Sequence, residues 1–191
     1  METATTTTTI LKPAAGAEVS YAIDPVHAAA HFKVRHIMVA HVRGELGEVT
    51  GEVVLDPKDL ARSRVEARIA AAGIDTRNAE RDAHLKSADF LDVAKFPHIT
   101  YRSTSVREAG AGHLEVRGDL TVRGVTRPVT LDVELSDEIK DPWGNAKRGV
   151  SATAKLHRKE FGVTWNAAMD GGGIVVGEVV EVTIEAELVR N

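Results

Sequence analysis

The stretch Val-Glu-Val-Thr-Ile-Glu-Ala-Glu-Leu, residues 180–188, alternates strictly between apolar and polar side chains. Successive side chains of a β-strand point to opposite faces of a sheet, so this period of two predicts a strand with one buried and one wetted face. The same alternation recurs at residues 114–122, 129–135 and 150–156. We therefore predict an antiparallel sheet that carries its apolar side chains on one face only.

About eight such strands follow one another along the chain. Shorter alternating or apolar runs stand at residues 26–34, 42–46, 49–55, 65–71 and 99–101. Closing eight antiparallel strands into a barrel removes the exposed sheet edges, and a barrel of this size holds either its own side chains or one small ligand. A short helix from about Asn78 to Leu91, opened by the capping candidates Asp75, Thr76 and Asn78 and ending before Pro97, is predicted to cover one end of this all-β fold.

Composition and missing motifs exclude several classes of protein. The 191 residues contain 24 Lys and Arg against 28 Asp and Glu, without a long basic run, so nucleic acid is not an expected partner. No cysteine is present, which excludes disulfides and thiolate metal sites. The chain lacks a P-loop, a G-x-S-x-G nucleophile motif and an H-E-x-x-H metal motif, and we predict neither a catalytic residue nor a cofactor.

The N-terminal residues differ in character from the rest of the chain. Residues 1–19 are rich in threonine and have no apolar period, which predicts a disordered tail, whereas residues 20–191 form the single barrel domain. The tail lacks the basic start and apolar run of a secretory signal, and nowhere do 18 apolar residues follow one another. We therefore expect a cytoplasmic protein without a membrane anchor.

Eight histidines raise the question of a metal site. His27 and His31 are four residues apart, a spacing of about 6 Å on a helix but about 13 Å on a strand. Because this segment alternates as a strand, the two imidazoles cannot share one ion, and no metal site is predicted.

Several longer strings resemble the motifs of the YceI-like family, in the order in which that family has them. They run from about Tyr21 to Val189 and include the string Arg-Asp-Ala-His-Leu-Lys-Ser-Ala-Asp-Phe-Leu-Asp-Val at residues 81–93. The other strings are residues 23–27, 32–39, 42–44, 96–97, 118–129 and 157–162. Two positions depart from the pattern: Ala28 replaces a common Ser, and His157 replaces a common Asn.

This resemblance implies a lipocalin-like barrel that binds a polyprenoid or a similar amphiphilic lipid in an apolar lumen and is often a homodimer. On this basis we expect a non-enzymatic carrier of a long-chain isoprenoid or fatty ligand. Apolar strand parity together with the motifs assigns the lumen to Phe32, Val34, Ile37, Met38, Leu46, Phe90, Ile99, Tyr101, Leu114, Leu120, Leu131, Val133, Phe161, Trp165, Val182 and Ile184. The polar end of the ligand is assigned to His27, Arg35, His36, Arg81 and His84.

Two alternatives remain at the level of sequence. The first is an enzyme that acts on an isoprenoid intermediate with His36 or His84 as general base, although such a base also needs an acid or an oxyanion donor within reach. The second is an interaction module whose lumen is filled by its own side chains. Only 8 residues are aromatic and several inward positions are alanine, which favours a cavity over a filled core.

Overall fold

The structure is a computed structural model that describes residues 18–169 and 172–191. The predicted tail, residues 1–19, lies outside these ranges except for Glu18 and Val19. Val19 already belongs to the first strand, so the barrel begins one residue earlier than the sequence indicated.

Within residues 18–169 and 172–191, the structure has ten strands, one α-helix and three single 3₁₀ turns. The strands are β1 (Val19–His36), β2 (Ala40–Glu45), β3 (Val49–Leu55), β4 (Arg64–Ala70), β5 (His98–Gly110), β6 (His113–Val122), β7 (Val125–Leu135), β8 (Ile139–Lys140), β9 (Ala146–His157) and β10 (Val176–Arg190). The helix α1 (Ala79–Lys86) follows β4, and the 3₁₀ turns span Leu60–Arg62, Ala71–Gly73 and Arg158–Phe161.

Eight of these strands close into an antiparallel barrel, which confirms the predicted fold class. The order around the barrel is β10, β1, β3, β4, β5, β6, β7 and β9, and the pairing of β9 with β10 closes the ring. The two remaining strands lie outside the ring, since β2 pairs with β1 and β8 pairs with β9. The barrel interior therefore has strand backbone on every side.

The long strand β1 changes register in the middle. A bulge between Ile23 and Ala28 interrupts its pairing with β10, and the residues before and after the bulge turn opposite parities toward the interior. Asp24 stabilises this bulge by accepting a 3.0 Å hydrogen bond from the amide of Val26. Val26, which the alternation placed on the buried parity, is 82% exposed as a result.

The helix is shorter than the predicted span from Asn78 to Leu91. Asn78 caps its start, as predicted, by accepting a 2.9 Å hydrogen bond from the amide of Arg81. The helix ends at Lys86 because the amide and hydroxyl of Ser87 both donate to the carbonyl of His84. Residues 87–97 continue as turns toward β5.

Arg123, in the turn between β6 and β7, ties the helix segment to the barrel. Its guanidinium donates to the carbonyl of Ala88, just after α1, at 2.6 Å and to the carbonyl of Gly162 at 2.7 Å. Both the helix segment and the 3₁₀ turn at Arg158–Phe161 are therefore held at the end of the barrel where β6 ends.

Candidate ligand-binding cavity

An apolar cavity of about 170 Å³ lies inside the barrel. Every one of the eight barrel strands contributes to its wall, and the polar exceptions are Ser63, Thr100 and Tyr101. Such a wall offers dispersion contacts and removal of apolar surface from water, but few hydrogen bonds. The cavity is suited to an apolar ligand or the apolar part of an amphiphile.

Nine of the residues assigned to the lumen line this cavity. They are Leu46, Ile99, Tyr101, Leu114, Leu120, Leu131, Val133, Val182 and Ile184. All of them except Leu46 lie on barrel strands, and the six on β6, β7 and β10 were assigned from the apolar parity of their strand. Their contact with a ligand stays a prediction.

Phe32 and Val34 do not line the cavity, in contrast to the sequence assignment. Both lie on the second half of β1, where the strand has passed beyond β3 and pairs with β2 instead. The ring of Phe32 lies over Gly44 of β2, at a position where a β-carbon on Gly44 would come within 2.6 Å of the ring. The alternation predicts which face of the sheet these residues share, but it does not indicate where the cavity ends.

Ile37 and Met38 are also outside the cavity. They form the turn between β1 and β2, and both are exposed to solvent. A continuous apolar string in the sequence gave no sign that the strand reverses at this point.

The three remaining lumen assignments belong to the helix end of the barrel. Phe161 is buried in a cluster with Ala30 and Val122, next to the cavity but not on its wall. Phe90 and Trp165 pack against each other with ring centroids 5.3 Å apart. These three residues cover the barrel end instead of lining its interior.

Several wall residues were not assigned to the lumen from the sequence. Ile23, Val53, Val106, Val116 and Leu188 are among them. Most share the apolar parity of a recognised strand, so the signal was present. Ile23 was missed because it precedes the bulge in β1.

Tyr101 is the largest polar side chain on the wall. Its hydroxyl donates to the carbonyls of Val116 at 2.9 Å and Val129 at 3.3 Å, so its polar atom is satisfied by the barrel itself. The ring packs over Gly118, where a β-carbon would lie 2.6 Å from it. Burial raises the pKa of the Tyr101 hydroxyl, and it remains a neutral donor at physiological pH.

The barrel end opposite the helix is closed by a polar cluster. The hydroxyl of Tyr21 donates to the carboxylate of Glu138 at 2.6 Å, and Glu138 is only 4% exposed. Arg148 donates to the Tyr21 oxygen at 3.2 Å, and Arg190 lies 3.3 Å from the second oxygen of Glu138. Burial, followed by the hydrogen bond to Glu138, raises the pKa of Tyr21. No sequence signal joined these four residues.

Arg81, assigned to the polar end of the ligand, is engaged with its own chain. Its Nε donates to the hydroxyl of Thr76 at 2.6 Å, and one terminal nitrogen donates to the Thr76 carbonyl at 2.8 Å. The same hydroxyl donates to Asp82 at 2.6 Å, which lowers the pKa of that carboxyl group. These bonds fix the segment before α1 and favour a structural role for Arg81.

His84 lies in an aromatic cluster at the helix end. Its ring meets Phe90 edge-on at 5.0 Å and Trp165 edge-on at 4.7 Å between centroids. Its Nε2 is 2.9 Å from a carboxylate oxygen of Asp89. The ring is partly accessible at the rim of the barrel, and its Nε2 is already paired with Asp89.

Arg158 organises the loop that carries Trp165. The guanidinium is buried and donates to the carbonyls of Val163 and Trp165 on one side and of Val176 and Gly177 on the other. Burial lowers its pKa, and the four carbonyls replace the water that the guanidinium has lost. This contact fixes the start of β10 against the aromatic cluster.

The other residues assigned to the polar end lie elsewhere. His27 is in the bulge of β1 with its Nδ1 2.9 Å from Asp24, and Arg35 donates to the carbonyl of Met38 in the β1–β2 turn. His36 pairs across the same hairpin with Ala40. None of the three lines the cavity, so the five assigned residues do not form one site.

His27 belongs to a group that could offer ligand atoms to a cation. One atom each from Asp24, His27 and Glu187 lie within 4.8 Å of one another. The ammonium of Lys147 already lies 2.7 Å from Glu187 and 3.7 Å from Asp24. This positive charge opposes binding of a cation there.

Within the described residues, no helix has the length and apolar character needed to cross a bilayer. The fold and its interior define the molecule as a closed antiparallel barrel around an apolar cavity. Residues 21–188 match the model of the YceI-like domain, and the chain belongs to this family.

Individual relatives agree with this membership. A UPF0312 protein of Vibrio cholerae is 38% identical over 153 residues, which cover 79% of this chain and 81% of the relative. Among solved structures, Burkholderia cenocepacia BcnA has a TM-score of 0.74 at 19% identity and covers 86% of this chain and 98% of its own. A polyisoprenoid binding domain from Saccharophagus degradans has a TM-score of 0.64 at 12% identity, with 91% and 99% covered. These two structures share the fold.

Proposed function

We propose that this protein binds a long-chain isoprenoid or a similar fatty amphiphile in the barrel and sequesters or carries it. The observation that carries the proposal is the cavity, whose wall is apolar on all eight strands. Support comes from the fold of the Saccharophagus degradans domain, which is a polyisoprenoid binding domain. The hydroxyl of Tyr101 donates to backbone carbonyls of the barrel. Recognition inside the barrel therefore depends mainly on shape and apolar contact.

The size of the cavity bears on how much of the ligand it holds. A cavity of about 150 Å³ in another protein admits one benzene molecule, so about 170 Å³ holds only a short part of a prenyl chain. A longer chain requires the barrel to widen or its end to open. We expect affinity to rise with chain length by the burial of methylene groups and then to level off, as ordering of the chain offsets further gain.

The polar end of such a ligand fits best at the helix end of the barrel. The opposite end is filled by the mutually bonded side chains of Tyr21, Glu138 and Arg148. At the helix end, His84 keeps a partly accessible imidazole beside Trp165. We therefore propose His84 as the group that meets the ligand head, with Arg81 as its structural support.

The test of the proposal is a pair of substitutions on β9. Ala154 lines the cavity, whereas Thr153 faces solvent. Protein purified from cells is extracted with organic solvent, and the extract is analysed by mass spectrometry. Wild type and Thr153→Phe should retain the same lipid, and Ala154→Phe should lose most of it because the new ring fills the space. Equal retention in all three, with unchanged melting temperatures, would place the lipid outside the barrel.

An enzyme acting on an isoprenoid intermediate is the alternative function. Neither His36 nor His84, the two candidate bases, lines the cavity. Incubation with prenyl phosphates, followed by analysis of products, separates the two functions, since a carrier returns its ligand unchanged. Homodimer formation and a cytoplasmic location also stay predictions, to be measured by analytical ultracentrifugation and by fractionation of cells.

A further inference from the structure

The hairpin formed by β1 and β2 extends beyond the cavity. Val182, which pairs with Phe32, is the last residue of β10 on the cavity wall in this direction. Met38, at the turn, is six positions after Phe32, a distance of about 20 Å at the usual rise of a strand. The residues 32–44, here called the β1–β2 hairpin, thus present their tip well away from the lumen.

The tip of this hairpin is apolar and exposed. Ile37, Met38 and Val39 are 39%, 52% and 75% exposed. A single apolar side chain on a surface is ordinary, but three in succession at one hairpin turn form a small continuous patch.

The backbone at the tip adopts a conformation that is unfavourable for residues of this type. Ile37 and Met38 both have positive φ angles, 42° and 61°, in a turn where Asn-Gly is the favoured pair. The turn is held by hydrogen bonds from the amide of Ile37 to the carbonyl of Val175 and from Arg35 to the carbonyl of Met38. A β-branched residue at positive φ is unfavourable, which points to a use for these side chains beyond turn formation.

One face of the hairpin is basic. Lys33 pairs across the strands with Arg43, and Arg35 pairs with His41. Like charges directly opposite each other destabilise a sheet. Residues 33–43 contain no acidic residue, and Glu181 on the neighbouring strand is 2.8 Å from Lys33. Glu45 and Asp75 line the same surface pocket as Arg43, at the end of the row away from the tip. The hairpin therefore carries an excess of positive charge beside its apolar tip.

We propose that the tip of the β1–β2 hairpin docks reversibly on an anionic lipid bilayer. Ile37, Met38 and Val39 would enter the interfacial region, while Arg35 and Arg43 meet anionic head groups, the combination that peripheral membrane segments use. A second copy of this chain fits the surface less well, because a two-fold contact at the tip brings the basic rows together. A nucleic acid would match the charge but leave the apolar tip without a partner.

The test is co-sedimentation of the full chain, as wild type and as Ala154→Phe, with vesicles that contain no isoprenoid. Because the new ring of Ala154→Phe fills the lumen, equal vesicle binding by the two proteins distinguishes docking on the bilayer from uptake of a lipid into the barrel. Vesicles of phosphatidylcholine alone are compared with vesicles that contain about 30 mol % phosphatidylglycerol. Binding to the anionic vesicles should be about tenfold stronger and should fall as salt is raised. Equal binding to both vesicles, or no binding to either, would overturn the proposal.

The double variant Ile37→Asn, Met38→Gly isolates the role of the tip. It removes the apolar side chains and supplies the residues that this turn favours, so the fold should be retained or stabilised. Binding to anionic vesicles should fall about fivefold with the lost apolar contact. Arg43→Gln should reduce the difference between the two vesicles.

A matched control is offered by Trp143, an exposed aromatic residue in the turn between β8 and β9. Trp143→Ser should leave vesicle binding unchanged. If it abolishes binding while the tip variant binds as wild type does, the docking surface lies at the other hairpin. If the tip variant instead dissociates a dimer without affecting vesicle binding, the occupant of the tip is a second copy and the proposal is wrong.

Discussion

Leu131 and Asp132 are adjacent on β7 but belong to different environments. Leu131 lines the cavity, whereas Asp132 is exposed on the outer face and pairs across the sheet with Thr153 of β9. On β7, side chains at odd-numbered positions 129–135 line the cavity, whereas those at even-numbered positions face solvent.

Placing a new charged residue at each of these two positions tests which of them faces the interior of the barrel. Leu131→Glu places a carboxylate in an apolar interior without a partner, and we expect a loss of about 3 kcal/mol or more in the free energy of unfolding. Asp132→Lys exchanges one exposed charge for another and should change stability by less than about 0.5 kcal/mol. Urea denaturation of both variants gives the comparison, and equal midpoints would show that the parity is assigned wrongly.

Tyr101 and Gly118 supply a second test, inside the cavity wall. Tyr101→Phe removes two hydrogen bonds to backbone carbonyls, and we expect a loss of about 1 kcal/mol. Gly118→Ala should cost more, because the added methyl group would lie 2.5 Å from the carbonyl oxygen of Arg102 as well as against the Tyr101 ring. Thermal unfolding measures both. If Gly118→Ala were as stable as wild type, the close packing of the ring on β6 would be incorrect.

Local alternation was enough to predict the barrel wall, and its limits explain the errors. Val182 and Ile184, which the period of two assigned to the lumen, line the cavity, because this period depends only on neighbouring residues. Phe32, assigned in the same way, does not line the cavity, because alternation indicates a face of the sheet but not where the cavity ends, which depends on how far β3 accompanies β1.

Contacts between distant segments could not be predicted in this way. Tyr21 and Glu138 are 117 residues apart, and Arg148 joins Tyr21 across 127 residues. Each of these residues alone is an ordinary polar residue near a strand end. Their association depends on the closure of the barrel, which brings β1, β9 and the segment before β8 together.

The carboxylate of Asp82 leads to a prediction about pH. The hydroxyl of Thr76 donates to it and lowers its pKa in the folded protein. A lowered folded pKa stabilises the fold above the ordinary carboxyl pKa of about 3.9, and this contribution disappears as the pH falls through the folded value. Asp82→Asn should therefore be less stable than wild type at pH 7, and the difference should shrink at acidic pH.

The control for the Asp82→Asn variant removes the hydroxyl of Thr76, which donates to this carboxylate. In a Thr76→Val background, Asp82→Asn should lose much of its dependence on pH, because the hydroxyl that lowers the pKa is gone. Denaturation curves at a series of pH values measure the effect. A difference between Asp82→Asn and wild type that is constant down to pH 2 would contradict the assignment.

Arg81 and His84 both lie on α1, but replacing each with alanine should have different effects on stability and ligand binding. Arg81→Ala removes two hydrogen bonds from a charged group to Thr76, and we expect a loss of about 2 kcal/mol in stability. The ratio of affinities for a prenyl phosphate and for its hydrocarbon analogue should remain as in wild type, since the guanidinium is engaged by the protein.

His84→Ala removes the edge-on contacts with Phe90 and Trp165, and the expected loss of stability is about 1 kcal/mol. Its effect on binding should be selective, because the imidazole is the partly accessible polar group at this end of the barrel. Affinity for the prenyl phosphate should fall while affinity for the hydrocarbon analogue stays within about twofold, since apolar contacts in the lumen are unchanged. Calorimetric titration of the delipidated protein with both ligands measures the ratio. If His84→Ala weakens both ligands equally and Arg81→Ala changes the ratio, the two roles are exchanged and Arg81 meets the head group.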